Sequence, residues 1–192
     1  MHLENGIWLA QYVPEFIRQF GSRGYMTMWD VLNGGTAITS KTGGDHGYMQ
    51  SEGGAYQYQE RADYWAVKMM TNYWSAPGDE REHRLVETTV SDPMIAAYAN
   101  IKPDGNMDLL VVNKDPKNAC TLNILINGFK PVKEAKVRTL DKENYDWKTD
   151  ATPYHAEPDN EPAESNVSDV SGNFKYQFKP YSVTVLQFTK EE

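Results

Sequence analysis

Side chains that could bind or activate a ligand are concentrated between residues 29 and 60 of this 192-residue chain. Aromatic rings supply rigid apolar area for stacking, and carboxylates and amides hydrogen-bond to hydroxyl groups. The residues that we single out for such a binding site are Trp29, Asp30, Asn33, Asp45, His46, Tyr48 and Tyr56. Proton transfer by carboxylates of this segment is a weaker hypothesis, because carboxylates in a glycine-rich stretch are typical of a solvated loop. The carboxylates concerned are Asp30, Asp45, Glu52 and Glu60.

Trp29 lies in a predicted strand that a long loop follows. Residues 25–32 form a short, largely apolar run closed by Asn33-Gly34-Gly35, which favours a strand covered on both faces, as in parallel sheets. Residues 34–57 are rich in Gly, Ser and Thr and have no helical period, which predicts a loop of a length that commonly carries function. Trp29 could therefore line a site at the polar, carboxyl end of the strand or simply fill the core.

Two amphipathic helices flank this strand. Apolar residues at helical spacing predict the first helix over residues 7–20. Pro14 lies within it and predicts a kink near Gln11 or a helix that begins anew there, because proline removes one backbone hydrogen bond. The second helix is predicted over residues 57–74, and Pro77-Gly78 ends it.

Beyond Glu80 the apolar pattern changes from a period of about 3.6 to a period of about 2, which indicates strands. The predicted strands cover residues 85–90, 95–101, 108–113, 120–126, 135–140, 174–178 and 182–188. Asp104-Gly105 is the strongest hairpin signal among the turns. Strands at such short spacing favour an antiparallel sandwich. The sequence therefore predicts an α+β chain with two domains, residues 1–78 and 79–192.

Charge and motif content argue against several classes of function. The chain has 19 Lys and Arg against 27 Asp and Glu, a formal net charge of −8, and no basic stripe that could neutralise a phosphate backbone. No apolar stretch approaches the roughly 18 residues of a membrane span. Phosphate-loop, dinucleotide-binding and serine-hydrolase motifs are missing. We expect no nucleic-acid partner, no membrane partner and no cofactor.

Metal binding is not expected either. Cys120 is the single cysteine, which excludes an internal disulfide, and its apolar surroundings in sequence indicate a buried thiol in a strand. His2, His83 and His155 show no metal-ligand spacing. Residues 149–171 hold several carboxylates and no Lys or Arg, which predicts a solvated loop or strand connection. A calcium site there is the sharper alternative, but the ordered ligand spacing of a known calcium loop is missing.

The order of these elements resembles the C-terminal end of the clan A glycoside hydrolases, in the arabinofuranosidase-like and xylosidase-like families, whose (β/α) barrel is followed by a β-sandwich. The resemblance covers nearly the whole chain, and the order of its motifs carries it. The matching residues are 6–20 (beginning Gly6-Ile7-Trp8-Leu9-Ala10), the strand 26–32 around Trp29, the helical run 63–70, residues 105–114 and the closing Pro180-Tyr181-Ser182-Val183.

The resemblance implies a place for each element in such a barrel. The first helix would be barrel helix seven, the Trp29 strand would be strand eight, and the second helix would be helix eight. Chemistry in these barrels lies at the carboxyl ends of the strands, so Trp29, Asp30, Asn33 and the following loop would face a sugar. Trp29 would stack on a pyranose or furanose ring, and the ligand would be a plant-type polysaccharide or oligosaccharide.

The resemblance also implies what this chain lacks. A retaining glycosidase uses two carboxyls about 5–5.5 Å apart, and the family places them on strands four and seven, which are not in this chain. Glu4 precedes the first helix, but His2-Leu3-Glu4-Asn5 does not offer the apolar, β-branched strand context of the family's nucleophile. We therefore interpret the chain as the C-terminal portion of a polysaccharide-degrading glycoside hydrolase, inactive alone. It would belong to a longer secreted or extracellular precursor, although no leader is visible at Met1.

Two other hypotheses remain open at this point. Two helices and one strand cannot close a barrel, so their apolar faces need cover from the sandwich, a second chain or self-association. The residues that need this cover are Trp8, Phe16, Trp65 and Met69. In the alternative hypothesis the chain is a freestanding carbohydrate-binding module that uses exposed Tyr145, Trp147 and Tyr154. A third hypothesis is a purely structural or assembly domain that binds no glycan.

Overall fold

The computed structural model describes residues 2–23, 26–27, 30–33, 47–50, 54–75 and 83–192, with the backbone alone at 30–33. The helices are α1 (Leu3–Phe20) and α2 (Ala62–Lys68), which continues as a π-helical stretch (Met69–Trp74). The strands are β1 (Asp30–Asn33), β2 (Gly47–Gln50), β3 (Arg84–Val86), β4 (Ile95–Ile101), β5 (Met107–Asn113), β6 (Cys120–Leu125), β7 (Pro131–Leu140), β8 (Tyr145–Lys148), β9 (His155–Asp159), β10 (Ala163–Ser168), β11 (Asn173–Phe178) and β12 (Ser182–Lys190). Strands dominate and two α-helices pack on them, so the expected α+β class is confirmed.

Helix α1 runs through Pro14 without interruption, so the expectation of a helix that begins anew at Gln11 is wrong. The packing around the proline explains this. Pro14 and Ala10, whose carbonyl would otherwise accept the missing bond, are both buried, and burial of apolar surface offsets the loss of one hydrogen bond. Glu4 in the first turn and Arg18 in the last turn also suit the helix dipole.

Helices α1 and α2 approach each other closely at Gly6. An ideal Cβ built on Gly6 would lie 2.7 Å from the backbone oxygen of Ala62, so only glycine fits there without a shift. Ala62 and Ala66 on the facing side are completely buried. The small residues at this crossing therefore bring the two helices together.

The residues that the structure describes between the helices include two strands, which corrects the prediction of a single strand followed by an irregular loop. The strand predicted over residues 25–32 is found as β1, and residues 26 and 27 belong to no strand. Strand β2 lies inside the predicted loop and pairs with β1 in parallel, with Asp30 opposite Gly47 and Asn33 opposite Gln50. Four residues, of which one is glycine, are too few to show a period, which is why the sequence pattern missed this strand.

The second helix begins at Ala62, five residues later than the predicted start at residue 57. The backbone before it folds back on β2 instead. The N–H of Gln50 donates to the Gln59 carbonyl at 2.9 Å, the N–H of Arg61 donates to the Tyr48 carbonyl at 3.0 Å, and Met49 forms an antiparallel bridge with Glu60. Pairing with β2 therefore outcompetes helix formation over residues 59–61.

The remaining strands form three antiparallel sheets. The largest has six strands in the order β10-β7-β12-β5-β4-β3, and the pairs β6–β11 and β8–β9 stand apart from it. Strands β8, β9 and β10 were not predicted, and β9 and β10 occupy the segment 149–171 that was expected to be a solvated loop. Three prolines and the lack of apolar alternation hide these strands from a pattern of period two. The Asp104-Gly105 hairpin is confirmed, because it joins β4 to β5 with Gly105 at a φ of 86°.

The six-stranded sheet has apolar clusters on both of its faces. On one face Leu110, Val112 and Val185 pack against the helices, and on the other Val111 and Leu186 pack against β6 and β11. The order of layers is therefore helices, large sheet, small sheet. Side chains of the sheet also bind the end of the second helix. Asn100 Nδ2 donates to the Trp74 carbonyl at 2.8 Å, Gln187 Nε2 donates to the Tyr73 carbonyl at 2.9 Å, and Trp74 Nε1 donates to the Tyr98 carbonyl at 3.1 Å.

The helix residues that were expected to need cover differ in their exposure to solvent. Trp65 and Met69 are buried against the sheet. Trp8 is 59% exposed, and Phe16 is half-buried. The aromatic residues of the alternative hypothesis do not form an exposed patch, since Tyr145 and Trp147 are buried and Tyr154 packs against the same core, which corrects that expectation.

Candidate functional site

The carboxyl ends of β1 and β2 lie side by side, with Asn33 paired to Gln50. In parallel strands flanked by helices, this end of the sheet is where ligands and reacting groups are held. Strand β2 alternates so that Tyr48 and Gln50 share one face, because they are two residues apart. This end of the strand pair is the candidate functional site.

Gln50 is the residue of this site that stands out chemically. Its side chain is completely buried, and neither Oε1 nor Nε2 has a hydrogen-bond partner among the residues that the structure describes. Burying an amide with no partner costs about 1–3 kcal/mol on the scale of protein mutations, so native proteins rarely keep one without a use. A buried, unpaired amide at the carboxyl end of a parallel strand can donate and accept hydrogen bonds from a polar ligand. Gln50 was not predicted as a site residue, because the sequence of residues 47–50 indicates a loop.

Tyr58 lies next to Gln50 and adds an aromatic ring. Its N–H donates to the Gln50 carbonyl at 2.7 Å. The ring is 54% exposed, and the backbone has a φ of 67°, a left-handed conformation that is uncommon for a bulky residue and often marks a site. Sequence reasoning did not single out Tyr58 either.

Arg61 fixes the amino end of β2. Its guanidinium is buried, and Nη1 donates to the Gly47 carbonyl at 3.0 Å. Arg61 also lies directly before α2. Ala62, the first residue of α2, donates its backbone N–H to the Tyr145 hydroxyl, and burial raises the pKa of that phenol. The strand, the helix start and β8 are thereby held as one unit.

The predicted site residues fall into three groups. Trp29, Asp45, His46 and the carboxylate candidate Glu52 lie outside the described residues. Asp30 and Asn33 are the first and last residues of β1. Tyr48 lies in β2, where burial raises the pKa of its phenol and the Asp63 carboxylate adds to that shift. The Tyr56 ring stacks on His155 with centroids 3.9 Å apart, so that one of its faces is covered.

One carboxyl close to this region, that of Asp159, has a raised pKa. Burial raises the pKa of Asp159 to about 6, although the Trp65 indole N–H, 2.7 Å from Oδ1, acts in the opposite sense. The charge of Glu60 adds to the increase, while the Glu60 backbone N–H lowers the pKa. Carboxyls of this kind can serve as acids, and they also occur in structural networks. Asp159 lies where β9 packs on α2, which favours the structural role.

Cys120 lies at the start of β6, as expected for a strand residue, and is half-buried. Burial raises the pKa of its thiol, and Asp92, whose Oδ2 lies 3.6 Å from Sγ, adds to that increase. A thiol that holds its proton this firmly is a poor nucleophile.

Other sites are less well supported. A cavity of about 440 Å³ lies beside β6, and Ala97, Ala99 and Leu109 are among its lining residues. Phe178 is the one aromatic residue among the described residues that line it, and the rest of the lining is mostly aliphatic or small and polar. No cluster of three or more His, Cys, Asp or Glu that could hold a metal ion occurs in the described ranges, which include all of 149–171. Across those ranges no helix is both long and apolar enough to span a membrane.

No protein-family model matches this chain, and no curated protein matches it. Several solved structures do match this chain. The α-L-arabinofuranosidase of Thermotoga maritima matches 100% of this chain with 39% of its own, at 18% identity and a TM-score of 0.69. The catalytic domain of GH30 xylanase C from Talaromyces cellulolyticus matches 97% of this chain with 35% of its own, at 13% identity and a TM-score of 0.65. A GH30 endoxylanase from Clostridium papyrosolvens C71 matches 97% with 38%, at 9% identity and a TM-score of 0.59.

At these identities the likeness is one of fold. This chain spans less than two-fifths of the length of each of the three neighbours. The neighbours are an arabinofuranosidase, a xylanase and an endoxylanase, so the architecture agrees with the resemblance drawn from the order of elements. The chain therefore has a glycoside-hydrolase-like fold.

Proposed function

We propose that this chain is the C-terminal portion of a polysaccharide-degrading glycoside hydrolase of the clan A type. Residues 1–78 would form part of the wall of a (β/α) barrel, and residues 79–192 an accessory β-sandwich. The observation that carries the proposal is Gln50, a completely buried amide without a hydrogen-bond partner at the carboxyl end of a parallel strand pair. The glycoside-hydrolase-like fold of the whole chain gives that amide its context.

In this proposal the site binds a sugar unit of a plant-type polysaccharide or oligosaccharide. The Gln50 amide hydrogen-bonds to sugar hydroxyls, and the Tyr58 ring, with Trp29, offers a stacking surface. Asp30, Asn33, Asp45, His46, Tyr48 and Tyr56 are the other residues proposed to face the sugar. The two catalytic carboxyls would come from other staves of the barrel, so the chain alone would bind sugar without hydrolysing it. A polysaccharide substrate favours a secreted or extracellular location.

Helix α1 supports the proposal of missing barrel staves. It carries a row of aromatic residues, Trp8, Tyr12, Phe16 and Phe20, spaced by four residues and largely exposed. Trp8 and Tyr12 stack with ring centroids 4.8 Å apart, and Phe16 and Phe20 lie at the same distance. A surface helix normally turns polar residues to water, so an aromatic row opposite a buried face is typical of a helix covered on both sides. We propose that the remaining staves, supplied by a longer chain or by a second one, pack on this aromatic row.

Replacement of Gln50 by leucine tests the sugar site with two readouts of opposite sign. Gln50→Leu removes the hydrogen-bonding amide, so affinity for L-arabinose, D-xylose or xylotriose is expected to fall about tenfold or more. The same change removes an unpaired polar group from the interior, so the free energy of unfolding is expected to rise by about 1 kcal/mol or more. Calorimetric or NMR titration and urea unfolding measure the two effects.

The matched control is Gln177→Leu, which alters an exposed amide on β11 and should change neither readout. Loss of stability in Gln50→Leu, or sugar binding that persists in it, would contradict the assignment. Release of nitrophenol from aryl arabinofuranosides or xylosides by the wild-type chain alone would overturn the proposal that the catalytic pair lies elsewhere.

A further inference from the structure

The hairpin formed by β8 and β9 packs on the segment that carries the candidate site. Three contacts join the two, and a fourth reaches Glu161, two residues beyond β9. The Tyr56 ring stacks on His155, the Gln59 side chain binds the backbone of Ala156, Trp65 Nε1 donates to Asp159 Oδ1, and Lys68 Nζ donates to Glu161 Oε1. These contacts run from residue 56 to residue 68. The hairpin and the residues directly after it therefore pack along the stretch from β2 into α2.

Gln59 differs from the other three residues because its side chain both donates and accepts a hydrogen bond. Its Nε2 donates to the Ala156 carbonyl at 2.6 Å, and its Oε1 accepts from the Ala156 N–H at 2.8 Å. Its side chain therefore pairs with β9 as a neighbouring strand would. Its backbone carbonyl accepts from the Gln50 N–H at 2.9 Å, and the adjacent Tyr58 N–H donates to the Gln50 carbonyl at 2.7 Å. Gln59 thus connects β9 directly to the Gln50 N–H, and its neighbour Tyr58 holds the Gln50 carbonyl.

The β8–β9 hairpin is also anchored by contacts that do not involve β2. His155 is buried, and its Nδ1 lies 2.8 Å from the Pro153 carbonyl. Trp147 and Ala156 belong to the apolar cluster on the helix side of the large sheet, together with Leu110 and Val185. Ala156 therefore belongs to a core that extends to the large sheet, independently of its bonds to Gln59.

We propose that Gln59 is a positioning residue: through its side-chain pair with Ala156, β9 sets where the carboxyl end of β2 and the Gln50 amide lie. Its consequence for sugar affinity rests on the proposed function above. The structural part, a fixed Gln50 backbone, does not depend on that function. Strand β9, which belongs to residues 79–192, is then part of the site and does not only support residues 1–78.

Gln59→Met tests the inference, because methionine fills a similar volume and makes neither bond to Ala156. Hydrogen exchange of the Gln50 and Tyr58 backbone amides is expected to accelerate on the order of tenfold or more relative to the amides of β5 and β12, since two hydrogen bonds that hold the segment are lost. The side-chain amide resonances of Gln50 are expected to shift in the ¹⁵N–¹H spectrum. Gln59→Asn, whose shorter amide cannot span the same gap, should give the same pattern if the methionine variant folds poorly.

Lys68→Met is the matched control, because it breaks the contact to Glu161, which lies two residues beyond β9 and remote from β2. It should leave the exchange of Gln50 and Tyr58 and the Gln50 resonances unchanged. The inference is overturned if Gln59→Met leaves these amides as protected as in the wild type, or accelerates all amides equally, or if Lys68→Met has the same local effect.

Sugar titration of the same variants separates this inference from the proposed function. Weaker pentose binding in Gln59→Met, together with local exchange at Gln50, supports both. Local exchange in a chain whose wild type binds no sugar at all supports the positioning role and contradicts the proposed function. Undiminished sugar affinity in Gln59→Met despite local exchange would overturn the claim that β9 acts on ligand binding.

Discussion

Asp108 is a carboxyl whose environment makes the stability of the whole chain depend on pH. It is completely buried in β5, and burial raises its pKa to about 7, although the nearby Lys102 ammonium lowers it. Lys102 Nζ lies 3.1 Å from Oδ2, close enough for an ion pair, yet neither carboxylate oxygen has a hydrogen bond of good geometry. The folded state therefore holds a proton that the unfolded chain releases at about pH 4.

The sign of the effect follows from linkage. Between about pH 4 and 7 the folded state binds more protons at this position, so the free energy of unfolding falls as pH rises through that window. Asp108→Asn removes the titrating group and is expected to flatten the profile by an amount on the order of a few kcal/mol, most visibly between pH 6 and 7, above the pKa of about 6 at Asp159. Urea unfolding at a series of pH values measures this.

Asp146→Asn, at a partly exposed position, is the control and should leave the slope unchanged. Equal slopes in the wild type and in Asp108→Asn between pH 4 and 7 would show that Asp108 is ionised in the folded state throughout that window.

Single residues were predictable from sequence where their chemistry depends on their neighbours along the chain. Cys120 lies at the start of β6, as its strand pattern predicted, but its side chain is half-buried where a buried thiol was expected. Gln50 depends on what surrounds β2 in space, and nothing adjacent to it in sequence indicates a buried amide. The same holds for Tyr58, whose left-handed backbone arises from folding back on β2.

At the scale of elements, the crossing of α1 and α2 depends on a residue without a side chain. Gly6→Ala would place a Cβ 2.7 Å from the Ala62 backbone oxygen, an atom that cannot move aside as a flexible side chain could. Alanine favours a helix by about 1 kcal/mol over glycine, but overpacking of this kind costs about 1–3 kcal/mol, so a net loss of stability is expected.

Denaturant unfolding measures the Gly6→Ala effect. Asn5→Ala, one residue earlier and exposed, provides the comparison, because it gains helix propensity without a clash and should be neutral or stabilising. Equal stabilisation by both substitutions would mean that the two helices can separate without cost.

Elements with a strong period were predictable, and those defined by their partners were not. Strand β4 has the predicted bounds, and α1 was found with its start four residues earlier than expected. Strands β2 and β9 are short and interrupted by Gly or Pro, and they exist because a neighbouring segment satisfies their backbone groups. Residues 59–61 likewise pair with β2 although their sequence favours the helix that follows.

For the molecule as a whole, the aromatic row on α1 predicts how the isolated chain behaves. An exposed apolar surface of this kind promotes association, so the chain alone is expected to form dimers or larger species at micromolar concentration. Trp8→Lys combined with Phe20→Lys places charges at both ends of the row and should restore a monomer. Light scattering coupled to size exclusion gives the mass.

Leu125→Lys is the comparison variant, since Leu125 is an equally prominent exposed apolar residue, 63% accessible, on the other side of the large sheet. Association should persist in it. A wild-type chain that stays monomeric at all concentrations would remove the main support for an additional partner on α1.

The class of the fold could be predicted from sequence because helical and alternating patterns occupy separate halves of the chain. The packing of the helices on one face of the six-stranded sheet, and of β6 and β11 on the other, could not, since alternation indicates that a strand has an inner face without indicating what covers it. The proposed division at residue 78 remains a prediction, and helices and strands share one core across it.

The bonds from Asn100, Gln187 and Trp74 at the end of the second helix have a mechanical consequence. They join that end to strands β4 and β12, which flank β5 on either side. Sliding of the helix along the sheet would break all three at once, so shear between the two layers is blocked at that end. Relative movement of the helix and the sheet is therefore confined to the opposite end, near the start of α2, where Arg61 and Gln59 hold β2.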